Sequence, residues 1–261
     1  MPGTIEVTRD GVIATVAIAN PGKLNALTVA MWRALAAAFT TLSADDALRC
    51  VVLRGAGSEA FAAGADIAEF ATARNDRAQG RHYHHDLVGN ALRAVGVCRH
   101  PVVAMIHGPC VGGGLELACQ CDLRIAGRSA RFGVPINRLG FAIAYDELAG
   151  VLALAGPAVA AEILIEGRVW DAEEALAKGL LTRLTDDAAL AAEVAGTAQR
   201  IADGAPLVHR WHKQFIRRLT PRPAPLTAAE VEANFDYFDT DDYRIGYDAF
   251  MQKRKPKFTG K

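Results

Sequence analysis

The sequence predicts an α/β fold with a helical C-terminal extension, on three observations. Short apolar, strand-like runs alternate with helix-periodic stretches up to about residue 188, helical periodicity alone follows, and a glycine run joins one buried strand directly to a helix. At 261 residues, 51% of them hydrophobic, the chain is long enough to bury a sizeable core.

The elements follow in order. Residues 5–7 and 12–18 read as a hairpin closed by the Asp10-Gly11 pair. Thr28 suits the N-cap of a helix in which Met31, Leu35, Ala38, Phe39 and Leu42 recur at helical spacing. Residues 50–53 form a buried strand, 60–66 a loop of small residues, and a long polar-faced helix lies between Arg77 and Cys98. Pro101 resets the chain into the strand 102–106, which runs through Gly108-Pro109 and Gly112-Gly113-Gly114 into a helical stretch over 115–119. A strand over 123–126 and helices over 144–155 and 158–166 come next. Asp171 opens a further helix with Glu174 as its capping-box partner, and Gly179 ends it. Helices over 189–202, 207–219, 228–238 and 241–254 complete the chain, with the proline-rich stretch 221–225 as a linker between two of them.

Basic and acidic side chains cancel at 29 each, so no global field draws nucleic acid or an anionic membrane surface. No apolar run reads as long enough to cross a bilayer, and residues 1–10 lack the basic-then-apolar order of a secretory signal. The chain therefore reads as cytoplasmic. Its five cysteines, Cys50, Cys98, Cys110, Cys119 and Cys121, are odd in number and scattered, which suits reduced core thiols. Cys119 and Cys121 have the spacing of neither a redox pair nor a zinc knuckle.

Three segments carry chemistry. In Phe61-Ala62-Ala63-Gly64-Ala65-Asp66-Ile67, small residues let a backbone approach a ligand and leave N–H groups uncovered, although a tight packing turn uses the same residues. In the stretch from His107 to Ala118, a glycine run opens a helix after a buried strand, where free N–H groups and the helix dipole favour negative charge. The run has neither the dinucleotide fingerprint nor the P-loop ending. Glu116 lies between Leu115, Leu117 and Ala118, so a carboxylate enters a buried helical turn, where desolvation raises its pKa toward the range of a useful acid or base. The competing reading is a structural salt bridge to an arginine such as Arg124. The third segment, His82-Tyr83-His84-His85-Asp86, places His82 and Asp86 on one face but offers no further ligand set, so a solvated or pocket-lining helix is favoured over a metal site. His107 is expected to make a structural hydrogen bond. His209 and His212, with Trp211 between them, fit an amphipathic helix.

Ala63-Gly64-Ala65-Asp66-Ile67 and Gly112-Gly113-Gly114-Leu115-Glu116-Leu117-Ala118 together resemble the signatures of the crotonase (enoyl-CoA hydratase/isomerase) superfamily. Asn20, Lys23-Leu24-Asn25-Ala26-Leu27, Cys121-Asp122-Leu123-Arg124-Ile125-Ala126 and Phe250-Met251-Gln252-Lys253-Arg254-Lys255-Pro256 extend the resemblance over nearly the whole chain. It implies a spiral of repeated β-β-α units, with residues 1–190 as the core holding the acyl-CoA site. Residues 191–261 would form a helical part for oligomerisation and CoA cover, in a homotrimer or dimer of trimers. By position, the N–H groups of Ala65 and Gly113 would form an oxyanion hole, and Ala65, Asp66, Ile67 and Ala68 would line the CoA site. Phe250 and Lys253 match positions that approach CoA from a neighbouring subunit. Neither a metal nor a separate cofactor is implied, since coenzyme A arrives as part of the substrate.

Hydratases of this family use two glutamates to hold and activate water. Glu116 matches the first, but Ile136 occupies the position of the second, in Gly133-Val134-Pro135-Ile136-Asn137-Arg138-Leu139-Gly140. The following stretch, Phe141-Ala142-Ile143-Ala144-Tyr145-Asp146-Glu147, replaces a glycine-rich family segment and offers Tyr145, Asp146 and Glu147 as candidates for a relocated acid or base. The leading reading is an enoyl-CoA hydratase-like enzyme of fatty-acid or related acyl-CoA metabolism. The alternatives are another enolate reaction (isomerisation, C–C cleavage or dehalogenation) and a non-catalytic acyl-CoA binding protein.

Overall fold

The structure, a computed structural model, describes residues 2–220 and 225–259, so most of the expected linker at 221–225 lies outside the described residues. Strands β1 (Thr4–Asp10) and β2 (Ile13–Ala19) form an antiparallel hairpin. Asp10 pairs with Ile13, which makes the loop Gly11-Val12, one residue later than the Asp-Gly reading, and Gly11 takes the positive φ of +55° that the turn needs. Beside β2 lie the parallel strands β3 (Cys50–Gly55), β4 (Val102–Ile106), β6 (Leu123–Gly127) and β9 (Arg183–Thr185), giving the order β1-β2-β3-β4-β6-β9. A second sheet, β5-β7-β8, is built from Pro109–Val111, Arg131–Gly133 and Trp170–Asp171.

The central parallel strands β3 and β4 are largely apolar because both faces are covered. Val51, Leu53, Val102 and Ala104 enter the main core, while the alternate residues Cys50, Val52 and Val103 meet Leu190, Val194 and Ala198 of a helix on the other face. Helix α1 (Val29–Ala44) starts where Thr28 Oγ1 accepts the Met31 N–H at 3.2 Å, a cap worth about 1 kcal/mol. It buries Met31, Trp32, Leu35 and Phe39. A helical run over 77–97 (α2) contains a π-helical segment, His82–Val88, and is followed by α3 (Gly113–Gln120), α4 (Tyr145–Ala161) and α5 (Ala172–Ala177). The last helices are α6 (Asp187–Asp203), which covers the sheet, then α7 (Pro206–Leu219), α8 (Ala228–Ala233) and α9 (Asp241–Met251). This is the expected α/β spiral with a helical C-terminal part.

One expectation is corrected. The stretch Tyr145–Glu166 is 22 residues long and contains an 18-residue window with a mean hydropathy of 2.1, long and apolar enough by composition to cross a bilayer. Its geometry divides it, because Gly156 leaves the helical region at φ 78°, ψ 172° and Pro157 follows. At 1.5 Å per residue neither half approaches the roughly 30 Å of a hydrocarbon core.

Candidate active site

The loop before the first short helical turn is stitched to residues 24–27. Ala63 N–H donates to Leu24 O, Leu27 N–H to Gly64 O and Asp66 N–H to Leu27 O, while Asn25 reaches Ala60 O with its side chain at 2.7 Å. Leu24 and Asn25 hold positive φ angles of 48° and 56° to make this fit. Across the cleft, Ala62 N–H donates to Pro109 O and Val111 N–H to Ala62 O, so the loop runs beside the entry to α3. The two backbones meet at glycines. A Cβ on Gly64 would lie 3.1 Å from Val111 O and 3.7 Å from the Gly113 nitrogen, and Gly64 has φ +99°. These constraints leave two amides over: among the described residues, no acceptor takes the N–H of Ala65 or of Gly113. Gly113 also begins α3, where the helix dipole adds positive potential.

Glu116, in the first turn of α3, is 5% exposed. Burial pushes its carboxyl well above the usual carboxylate range, and the charge of Glu147 pushes it in the same direction. The expected alternative, an ion pair with Arg124, is not formed. Arg124 instead caps the C-terminal end of α3, donating to Cys121 O at 2.5 Å and to Leu180 O at 2.9 Å.

The three acid/base candidates in the loop separate cleanly. Tyr145 is exposed, and Asp146 turns outward to His85 at 3.2 Å and Arg93 at 3.9 Å. Glu147 alone turns inward, where it is 4% exposed. It closes the first turn of α4 by accepting the Ala144 N–H at 3.3 Å, and its other oxygen pairs closely with His84 Nδ1. His84 is itself buried, its Nε2 has no partner among the described residues, and burial, with Arg74 adding to it, lowers its pKa. The histidine cluster is thus divided among three carboxylates: His82 with Asp86, His84 with Glu147 and His85 with Asp146. Ile136, in the short turn Ile136–Leu139, packs against the main core.

The remaining candidates lie around this centre. Asp66 caps the turn Ile67–Glu69 through Ala68 N–H at 3.3 Å and receives Lys23 Nζ at 2.6 Å. Phe250 and Lys253, at and just beyond the end of α9, are exposed in the single chain. His107 makes its structural hydrogen bond through the backbone, its carbonyl receiving Phe61 N–H at 2.8 Å, while Nε2 is buried without a partner among the described residues. All five cysteines are free and buried.

Sequence reasoning missed the aromatic and cationic residues around the carboxylates. Trp32 Nε1 donates to Tyr83 Oη at 3.2 Å, and its ring lies where a Cβ on Gly113 would be, at 2.9 Å. Arg74 is fully buried, with its guanidinium carbon 3.9 Å from the centre of Phe141 and 4.5 Å from that of Phe70. Its Nη2 donates to Tyr237 Oη at 2.9 Å, while Nε and Nη1 have no partner among the described residues. A buried cation without a carboxylate costs several kcal/mol, which cation–π contacts of about 2 kcal/mol each offset in part.

The loop at 63–66 and the first turn of α3 thus hold two amides without an acceptor among the described residues and the buried Glu116, with the buried Glu147 in electrostatic reach of that carboxyl. The enoyl-CoA hydratase/isomerase family profile matches residues 8–261, and the chain belongs to that family. A short-chain-enoyl-CoA hydratase from Clostridium acetobutylicum is 31% identical, over 95% of this chain and 94% of its own. Among solved structures, an enoyl-CoA hydratase/carnithine racemase from Magnetospirillum magneticum is 52% identical with a TM-score of 0.82, covering 98% of this chain and 96% of its own. Methylmalonyl-CoA decarboxylase complexed with 2S-carboxypropyl CoA is 27% identical with a TM-score of 0.88, each chain covered to 98%.

Proposed function

We propose that the protein hydrates enoyl-CoA thioesters, using Glu116 and Glu147 as its acid/base pair and the N–H groups of Ala65 and Gly113 as the oxyanion hole. The observation that carries this reading is the burial of Glu147 within electrostatic reach of Glu116, which supplies the second carboxylate that Ile136 removes from its family position. Burial, with the charge of Glu147 adding to it, holds the Glu116 carboxyl well above the usual carboxylate range, so Glu116 is the proton donor. As the water oxygen adds to C3 of the enoyl group, Glu147 accepts a water proton and the thioester oxygen takes up charge against the two amides. Glu116 then delivers its proton to C2, and one proton passing from Glu147 to Glu116 resets the site. Donors fixed in advance stabilise that charge without reorganising.

The test replaces Glu116 by Gln and follows loss of enoyl thioester absorbance with crotonyl-CoA and longer enoyl-CoAs, beside a CoA titration. Turnover should fall at least 100-fold with CoA binding nearly unchanged. Full activity in this variant would remove Glu116 from the mechanism, and binding without turnover in the native protein would favour the non-catalytic reading. The higher TM-score with methylmalonyl-CoA decarboxylase favours one second reading, C–C cleavage of a malonyl-type thioester through the same enolate. Release of CO2 from methylmalonyl-CoA separates the two. Exposed Ile165, Ile216 and Leu219 support assembly into the trimer the family resemblance implies, which sedimentation velocity checks.

A further inference from the structure

Arg74 presents a problem that the acid/base pair does not solve. Its guanidinium is fully buried, no carboxylate among the described residues pairs with it, and two of its donor nitrogens are unfilled. Phe70, Phe141, Tyr237, Phe238 and Tyr243 surround it with ring centres 3.9 to 5.9 Å from the guanidinium carbon. The cage stabilises the charge but takes a hydrogen bond only from Nη2, through Tyr237 Oη, and a planar guanidinium is matched best by a carboxylate taken in two parallel hydrogen bonds.

The cage shares its walls with the proposed acyl site. The Phe141 ring that lies over Arg74 is 6.4 Å from the His84 ring, and His84 holds Glu147. On the other side, Phe70 meets Tyr83 at 5.8 Å, Tyr83 accepts from Trp32, and Trp32 stands against Gly113. A cavity of about 380 Å³, lined in part by Phe70, Arg74, Phe238, Tyr243 and Arg244, lies against the same cage. It gives the rings room to part. Its outer charges are mixed, since Arg244 is paired with Asp241 at 3.7 Å and Asp248 also lines it. The unfilled nitrogens are sealed from solvent, so an anion reaches them when an acyl chain carries it inward rather than directly from bulk water.

We propose that Arg74 recognises a carboxylate at the far end of the acyl chain, so that the preferred ligands are CoA monothioesters of dicarboxylic acids. This rests on the acyl-CoA reading above and adds the substrate class. Saturated ligands test it without any chemistry: calorimetric titration of the full chain with succinyl-, glutaryl- and adipyl-CoA against butyryl-, valeryl- and hexanoyl-CoA, matched in chain length. At one length or more the carboxylate form should bind at least 10-fold tighter. Arg74→Met should abolish that preference while changing affinity for the neutral ligand less than threefold, and Arg74→Lys should keep part of it, having charge without the planar fork. Equal or weaker binding of the carboxylate form at every length overturns the proposal, as does a preference that survives in Arg74→Met. If Arg74→Met does not fold, the native comparison together with Arg74→Lys decides. Failure of the hydration reading is seen separately, as full turnover by Glu116→Gln, and absence of binding by any CoA thioester overturns both.

Discussion

Replacing Glu147 by Gln tests whether the second acid/base group has moved to the start of α4. The amide keeps the shape of the side chain and one acceptor oxygen, so either His84 or the Ala144 N–H retains a partner. It loses the ability to exchange a proton. A positioned acid/base group is worth about 10²–10⁴ in rate, or roughly 3–5 kcal/mol of barrier, and kcat should fall by that factor. Stability should move the other way or not at all, because a carboxylate that is 4% exposed beside a second buried carboxylate is relieved of desolvation and repulsion. Losing the Glu147 charge also lowers the raised pKa of Glu116, so the pH limb of kcat belonging to Glu116 shifts to lower pH. A carboxyl whose folded pKa is raised contributes stability that is lost as pH rises through that pKa, and the variant should lose less over that window. In Glu116→Gln/Glu147→Gln, two groups that serve one water act as a unit, and the double variant should sit near the worse single rather than at the product of the two. The assay is enoyl thioester absorbance at saturating crotonyl-CoA, with a thermal melt of each variant. A Glu147→Gln kcat within fivefold of native, or a fully multiplicative double variant, would refute the reasoning.

Two further outcomes can be measured. Gly113→Ala places a Cβ 2.9 Å from the Trp32 ring, and because α3 is pinned at Gly114, where a Cβ would lie 2.3 Å from Ala62 O, the indole or the amide must shift by several tenths of an ångström. Turnover should fall about 100-fold with a much smaller change in CoA affinity, read as a split between kcat and the binding constant. Lys213 of α7 is buried and donates to His100 O at 2.7 Å and Asp122 Oδ2 at 2.5 Å. Lys213→Met leaves Asp122 without its cation, a loss of about 3–5 kcal/mol that lowers the melting temperature by roughly 10 °C while leaving kcat near native.

The longer elements were legible because their patterns repeat: α1, β3, β4, α6, α7 and α9 carry enough periodic residues to declare themselves, whereas the helix expected over 228–238 stops at Ala233 and gives way to a 3-10 turn, Asp236–Asp239. The strands β5, β7, β8 and β9 were not read, and the reason is length, since runs of two or three residues contain no measurable period and exist only through pairing with distant partners. The buried Glu116 was legible from its apolar neighbours, and the two glycine-rich turns from their composition. Ordering Tyr145, Asp146 and Glu147 was not, because adjacent residues in a first helical turn differ by about 100° in direction and only the packed neighbours select one. The pairing of Glu116 with Arg124 was wrong for a related reason: the arginine lies on β6, where the carbonyls ending α3 are within reach.

His84 was singled out in the histidine segment, but its pairing with Glu147 was not legible, and Arg74 was not read at all. In the segment His82–Val88, Tyr83, His84, Leu87 and Val88 are buried on one face while His82 and Asp86 stay exposed. The π-helical widening of His82–Val88 is the local change that accompanies this, and such segments are frequent at functional sites. It brings an imidazole to the point where α4 begins, and a carboxylate in the first turn of a helix meets the positive end of the dipole. Glu147 is therefore held by an imidazole, a backbone N–H and a helix terminus, so that a second carboxylate beside Glu116 does not require a glutamate at position 136. Ile136 is then free to pack against the main core. In the hydration reading proposed above, the second carboxylate comes from the start of α4, where His84 and the Ala144 N–H hold it, and not from position 136.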